Sequence, residues 1–183
     1  MKKGLNRWAR QALAGAALLG SMALAHASPL VLSLTGIESM GEAGDPGNTV
    51  LTVDVAAGAV VDLISWDLTL QTFGASWLSE ATILLRNSNG DGVAFNPGFG
   101  DDDAGSASYS GSMSLAGAGL SFSVLSDGKL FIEFYDSFDD NPGAADALYG
   151  GTLTVAGVLP EPASALLLGL ALMGLCATRR RRI

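Results

Sequence analysis

The seven residues Ile64-Ser65-Trp66-Asp67-Leu68-Thr69-Leu70 alternate without a break between apolar and polar side chains. A period of two indicates a β-strand with one face buried and the other in water, because successive side chains of a strand point to opposite sides of the sheet. We therefore predict a half-buried strand here, with Trp66 on the apolar face and in the core.

The same period recurs through the middle of the chain, and turn residues separate one occurrence from the next. Further strands are predicted at residues 30–37, 49–55, 81–85, 113–115, 120–125, 130–135 and 152–155. Between two of them, Ser126-Asp127-Gly128-Lys129 is the strongest hairpin signal. About seven or eight short strands without a sustained helical period predict an all-β fold. We expect an antiparallel β-sandwich or jelly-roll-like single domain over residues 28–158.

The charged residues are divided unevenly between this body and the two ends of the chain. Residues 28–158 contain seventeen of the eighteen acidic residues and only Arg86 and Lys129 as basic ones, so their formal net charge is −15 against −8 for the whole chain. Nucleic acid is therefore excluded as a partner, because phosphate contacts need clustered cations. Divalent cations, basic proteins or neutral sugars suit such a surface better, although the charge could also serve only solubility.

The body also lacks two residue types that many enzymes need. The single histidine is His26 and the single cysteine is Cys176, and both lie outside residues 28–158. The body can therefore form no internal disulfide, no His or Cys catalytic group and no His- or Cys-ligated zinc site.

Three groups of oxygen-bearing side chains are candidate ligands for calcium, which binds about six to eight oxygens. In Asn87-Ser88-Asn89-Gly90-Asp91-Gly92, the oxygens of Asn87, Asn89 and Asp91 alternate as at the start of a calcium-binding loop. Because Asn replaces the first Asp of an EF-hand and Gly98 replaces its last Glu, the run is either a calcium-binding hairpin tip or a polar turn. The other two groups are Asp101, Asp102 and Asp103, and Asp136, Asp139 and Asp140.

Neighbouring like charges repel, so each acidic group either shares a cation or is fully solvated. If strand ends bring the two acidic groups together, a shared ion would rigidify the glycine-rich fold. Calcium in a structural role is therefore the one cofactor that the sequence suggests.

Trp77 lies near a predicted turn, where an exposed indole could stack on a sugar ring, and packing in the core is the alternative. Glycosidases need only a pair of carboxylates and no histidine. The glutamates that could supply them are Glu38, Glu42, Glu80 and Glu133. Nothing in their spacing selects a pair, so we predict no catalytic residue and expect that the body is not an enzyme.

Residues 1–27 have the three parts of a secretory signal peptide. Basic residues up to Arg10 are followed by an apolar stretch at residues 13–25, and Ala25-His26-Ala27 fits the small-x-small cleavage rule. We predict cleavage between Ala27 and Ser28 by signal peptidase, after export across the inner membrane by the general secretion machinery. An uncleaved N-terminal anchor is the alternative.

The other end of the chain has a second three-part pattern. Pro160-Glu161-Pro162 is followed by an apolar run at residues 163–178, predicted as a short transmembrane helix, and then by the basic run Arg179, Arg180, Arg181 and Arg182. Pro160 and Pro162 lack backbone donors, so the helix cannot begin before them.

This order of parts, over residues 159–183, resembles the PEP-CTERM sorting signal of bacterial exopolysaccharide-associated proteins. The resemblance implies recognition by an exosortase-type membrane protease, which would process the chain near the motif. It leaves open whether the tail is cleaved or kept as an anchor, and it says nothing of the β-rich body.

The expectation for the whole chain is a secreted, exosortase-sorted protein of the cell surface or exopolysaccharide matrix. It would be membrane-anchored transiently or stably, and its body would be a non-catalytic structural or adhesive β-sandwich. A carbohydrate-binding module of the extracellular matrix is the alternative, and a small glycosidase is a more distant one.

Overall fold

A computed structural model describes residues 29–157, and this part of the chain is built mainly of β-strands. The strands are β1 (Leu30–Ser33), β2 (Ile37–Ser39), β3 (Thr49–Asp54), β4 (Val60–Val61), β5 (Leu63–Thr72), β6 (Ala81–Arg86), β7 (Gly92–Phe95), β8 (Ser106–Ser114), β9 (Phe122–Ser123), β10 (Lys129–Asp136) and β11 (Ala147–Ala156). The short helix α1 (Leu115–Ala118) begins where Ser114 accepts a hydrogen bond from the backbone of Gly117.

The predicted signal peptide, its cleavage site and the sorting signal with its transmembrane helix lie outside the described residues. Between residues 29 and 157, no helix is long and apolar enough to cross a membrane.

The strands form two larger antiparallel sheets and one small one. The first sheet has the order β1-β11-β5-β8, with β2 also paired to β11, the second has the order β3-β10-β6-β7, and β4 pairs only with β9. If the eight strands on the two main paths are numbered along the chain, the sheets read 1-8-3-6 and 2-7-4-5. The chain therefore passes from one sheet to the other at almost every connection. The prediction of an all-β antiparallel fold is confirmed.

Strand β5 has the predicted alternation and lies in the middle of the first sheet. Ile64, Leu68 and Leu70 are buried, whereas Asp67 and Thr69 are exposed. The indole of Trp66 is half-buried and packs at 4.8 Å from the ring of Phe95 in the other sheet. On the neighbouring strand β8, a side chain at Gly111 would come within 2.7 Å of this indole, so glycine makes the room for it.

The two larger sheets share one hydrophobic core, which makes the arrangement sandwich-like. Phe134 of β10 meets Tyr149 of β11 edge to face, with ring centroids 5.1 Å apart. The Tyr149 hydroxyl donates a hydrogen bond to the backbone oxygen of Thr82, in the opposite sheet, at 3.2 Å. Both aromatic side chains are fully buried, as expected for residues that join two sheets.

The predicted hairpin at Ser126–Lys129 is wrong, although the turn itself forms, with the Gly128 N–H donating to the Leu125 oxygen at 3.1 Å. The strand before the turn, β9, pairs with β4, and the strand after it, β10, pairs with β3 and β6. The turn therefore connects two sheets rather than two paired strands. The consecutive strands β6 and β7 do pair with each other, around the turn at residues 87–91.

Candidate functional site

Three connections meet at one end of the sandwich, which we call the acidic end: residues 39–48, 73–80 and 136–146. Backbone hydrogen bonds join them in pairs. The N–H of Asp136 donates to the Gly41 oxygen, that of Asp146 donates to the Ser39 oxygen, and that of Ser137 donates to the Glu80 oxygen, at 2.9–3.0 Å. The β-ladders end here, so these bonds fix the loops relative to the strands.

Two aspartates of the acidic end are completely buried. Asp136, the last residue of β10, and Asp146, immediately before β11, are both 0% exposed. One oxygen of Asp146 accepts hydrogen bonds from the Ser76 hydroxyl and the Asn141 amide, both at 3.0 Å. One oxygen of Asp136 accepts from the Phe138 N–H at 3.3 Å. In each aspartate, only one carboxylate oxygen therefore accepts hydrogen bonds.

The second oxygen of each aspartate has no hydrogen-bond partner. The same holds for Oδ1 of Asp139 and for the Ser39 hydroxyl. Among residues 29–157, the only other buried side-chain nitrogen or oxygen without a partner is the indole nitrogen of Trp66. Unsatisfied polar atoms are therefore concentrated at the acidic end.

The electrostatic environment disfavours the charged form of Asp136. Burial raises the pKa of Asp136 to about 7; the hydrogen bond from the Phe138 N–H opposes this rise, and the nearby carboxylates of Asp146, Glu80 and Asp140 add to it. Burial and the same Asp136 charge raise the pKa of the Tyr149 hydroxyl, so this group stays neutral. Near neutral pH, Asp136 is therefore partly protonated and Tyr149 carries no charge.

The two basic side chains of the body are engaged elsewhere. The Arg86 guanidinium lies 3.8 Å from the carboxylate of Glu133 and over the ring of Phe131. Lys129 forms an ion pair with Asp54 at the other end of β10. Neither is available to neutralise Asp136 and Asp146.

A shallow depression of about 340 Å³ lies on the surface of the acidic end. It is lined by Ala75, Trp77, Glu80, Phe138 and Asp140. Trp77 is 45% exposed and Phe138 is 62% exposed, so both rings face solvent rather than the core. Oε2 of Glu80 accepts a hydrogen bond from the Trp77 N–H at 2.7 Å and thereby holds the backbone under the indole.

The predicted oxygen run at residues 87–91 is a polar turn that closes on itself. The Asn87 side-chain oxygen accepts from the N–H groups of Asn89 and Asp91 at 2.9 and 3.0 Å. Its amide nitrogen donates to the carboxylate of Asp91 and to the backbone oxygen of Ser123, at 3.1 and 3.0 Å. The polar groups of Asn87 are thus engaged within the protein.

In the second predicted group, Asp101 to Asp103, two of the three carboxylates also accept hydrogen bonds. Asp101 accepts from the Tyr109 hydroxyl at 2.5 Å, and Asp102 accepts from the Ser79 hydroxyl at 2.8 Å. Burial and the Asp101 carboxylate raise the pKa of Tyr109 to about 12. Between residues 29 and 157, no three His, Cys, Asp or Glu side chains are already gathered closely enough to hold a metal ion.

The glutamates considered as glycosidase carboxylates have other roles here. The buried Glu133 accepts from the Gly44 N–H at 2.6 Å and from the Asn48 amide at 3.4 Å, so it holds the loop that follows β2. Glu80 supports Trp77, and Glu38 and Glu42 are exposed.

Sequence reasoning did not find two members of the acidic end, Asp146 and Ser39. Asp146 follows Asn141-Pro142-Gly143-Ala144-Ala145, a segment that reads as an ordinary turn. Its proximity to Asp136 comes from the pairing of β2 with β11, which places Ser39 opposite Ala147. A lone aspartate before an apolar strand carries no signal of that pairing.

No protein-family model matches the chain, and no curated protein matches it. Among solved structures, it is similar to the VP2 subviral particle of infectious bursal disease virus, with a TM-score of 0.34 and 13% identity over 72% of this chain and 32% of that one. It is also similar to a family two carbohydrate esterase from Cellvibrio japonicus, with a TM-score of 0.24 and 17% identity over 74% of this chain and 36% of that one. The chain therefore spans about a third of the length of each, and at these scores neither likeness bears on function.

Proposed function

We propose that the chain is an exported protein of the cell surface or of an exopolysaccharide matrix, and that its body is a non-catalytic adhesive β-sandwich. The two terminal patterns support this route. Residues 1–27 would engage the secretion machinery and signal peptidase, and residues 159–183 would engage an exosortase-type protease. The strand orders 1-8-3-6 and 2-7-4-5 support a jelly-roll form for the body.

The main support for an adhesive role is the depression that Trp77 and Phe138 line. Two solvent-facing aromatic rings beside the carboxylates of Glu80 and Asp140 offer stacking surfaces together with hydrogen-bond acceptors. Sugars present apolar C–H faces and hydroxyl donors, so this combination suits them. The acidic body would repel anionic polymers, and the surface therefore fits a neutral polysaccharide. The carbohydrate-binding alternative is thus the form of adhesion that this geometry favours.

Binding of the full-length chain in detergent to neutral matrix polysaccharides tests the adhesive role. Replacing Trp77 by Ala removes the stacking surface, and we expect roughly tenfold weaker binding, on the order of 1.4 kcal/mol. Phe99→Ala is the matched control, because Phe99 is an exposed aromatic residue that does not line the depression. Equal losses in the two variants, or no binding to any neutral polysaccharide, would refute the proposal.

The route is tested separately by the intact mass of the protein recovered from cells. We expect a chain that starts at Ser28 and ends near Pro162, and we expect the C-terminal segment to persist in cells without an exosortase. A full-length C-terminus in cells that have the enzyme would leave the tail as a plain anchor.

A further inference from the structure

Four buried oxygens at the acidic end lack partners: Oδ2 of Asp136, Oδ1 of Asp139, Oδ2 of Asp146 and Oγ of Ser39. Leaving one buried polar atom unpaired destabilises the folded state, and the loss is larger for a charged atom. Natural proteins therefore satisfy nearly all such atoms, and exceptions concentrated at one place point to a bound group.

The four oxygens come from chain segments that the fold holds together. Asp136 is bonded to the Gly41 backbone, and Asp146 is bonded to the Ser39 backbone. Gly41 is itself buried, and a side chain there would lie 3.6 Å from the Asp139 carboxylate. Asp139 therefore reaches back over the loop that carries Gly41. The end of β10, the loop before β11 and the end of β2 are thus neighbours at the acidic end.

A cation would pair with these oxygens, and the basic side chains of the body are engaged elsewhere. The carboxylates around Asp136 repel one another. All four free atoms are oxygens, and the body contains no His or Cys. A hard cation with oxygen ligands fits this set, whereas zinc or copper would want nitrogen or sulfur.

We propose that one calcium ion binds at the acidic end, between the carboxylates of Asp136, Asp139 and Asp146, with the Ser39 hydroxyl as a further oxygen ligand. Calcium fits better than magnesium because it accepts irregular sets of carboxylate and hydroxyl oxygens, whereas magnesium demands a near-ideal octahedron. The three carboxylates are not gathered closely enough to hold an ion in this structure, so the proposal requires their side chains to move toward one another when calcium binds.

The bound ion has a consequence for the surface above it. Phe138 and Asp140, which line the depression, lie on either side of Asp139 in the chain. Fixing Asp139 therefore orders the segment that presents them. The site does not rest on the proposed adhesive role, because none of its four ligand residues lines the depression.

Calorimetric titration and thermal unfolding of the full-length chain in detergent, stripped with chelator and held at pH 8, test the site. We expect one calcium ion per chain, with a Kd of roughly 0.1–1 mM. We also expect a rise in Tm of roughly 5 °C or more in 10 mM calcium, and a much smaller rise in 10 mM magnesium. Equal shifts with the two ions, or no shift with calcium, would overturn the proposal.

Variants separate this site from the other acidic residues. Asp146→Asn keeps an acceptor for Ser76 and Asn141 but removes the ligand charge, so it should abolish the calcium-dependent rise in Tm. Asp139→Asn, at a less buried position, should do the same and covers the case in which Asp146→Asn does not fold. Asp102→Asn is the matched control and should keep the full rise. If both ligand variants kept it, the carboxylates would be satisfied by shared protons, and the inference would be wrong.

Discussion

The turn at residues 87–91 and the loop at residues 136–146 are both rich in Asp, Asn, Ser and Gly, yet the buried side-chain oxygens are hydrogen-bonded in the turn and partly unpaired in the loop. In the turn, the buried side-chain amide of Asn87 accepts hydrogen bonds from two backbone N–H groups and donates one to the Asp91 carboxylate. In the loop, Asp136 and Asp146 are buried just as deeply, and each leaves one oxygen without a partner. An amide both donates and accepts, so it can close a turn unaided, whereas carboxylates only accept and need a donor or cation from elsewhere.

The largest expected effect is on the pH dependence of stability. The folded pKa of Asp136, about 7, lies above its ordinary value of 3.8, so its contribution to the free energy of unfolding is full below pH 4 and is lost as the pH rises through 7. Without calcium, we expect a loss on the order of 3 kcal/mol between pH 4 and pH 8, measured by urea unfolding.

The groups that face Asp136 are Asp146, Glu80, Asp140 and the hydroxyl of Tyr149. Asp136→Asn removes the titrating group but keeps an acceptor for the Phe138 N–H. Most of the loss in the free energy of unfolding between pH 4 and pH 8 should therefore disappear in this variant. A wild-type profile as flat as that of the variant would show that Asp136 titrates normally.

The next effect concerns the closed turn. Asn87→Ala removes four hydrogen bonds from a residue that is only 2% exposed, and it leaves the Ser123 oxygen without its donor. We expect a loss of about 2–3 kcal/mol in the free energy of unfolding, with or without calcium. If calcium restored the lost stability, the turn would be an ion site after all.

A smaller effect, with a change of sign, is expected for Asp146→Asn. In chelator at pH 8, the variant relieves repulsion within the carboxylate cluster and should be more stable than the wild type by about 1 kcal/mol. In 10 mM calcium, the order should reverse, because only the wild type binds the ion. Denaturation curves under the two conditions measure both differences, and the same order in both would contradict the expectation.

The smallest effect is expected at the tip of the turn. Asn89 is exposed and contributes only its backbone N–H to the turn, so Asn89→Ala should change the free energy of unfolding by no more than about 0.5 kcal/mol. A loss comparable to that of Asn87→Ala would mean that the Asn89 side chain has a role that its contacts do not show.

Local pattern was sufficient to predict the strands whose buried face is strongly apolar, such as β5 with Ile64, Leu68 and Leu70. Most of β8 was missed, because Ser106-Ala107-Ser108-Tyr109-Ser110-Gly111 alternates just as regularly in burial but carries small side chains. Its register depends on Trp66 of the neighbouring strand, whose indole needs the space at Gly111. That is a tertiary requirement and leaves no periodic apolar signal.

The sequence likewise predicted only those parts of the candidate site that do not depend on the pairing of distant strands. Asp136, Asp139, Asp140 and Trp77 were identified from residue type and from nearness to turns. Asp146 and Ser39 were not, because they are brought in by the pairing of β2 with β11. The turn at Ser126–Lys129 was recognised, but whether a turn joins paired strands or crosses between sheets depends on partners more than seventy residues away, such as Asp54 for Lys129.

The position of β11 between β1 and β5 has a consequence for the order of events in folding. Leu30 of β1 pairs with Val155 of β11, so the first strand of the body cannot join the sheet until the last strand is in place. Contacts between such distant residues make folding slow, on the order of milliseconds to seconds, because a long loop must be closed before the ladder between β1 and β11 forms. Both ends of the body must therefore be present before this sheet is complete, so removing either β1 or β11 would expose the edges of strands that are otherwise paired.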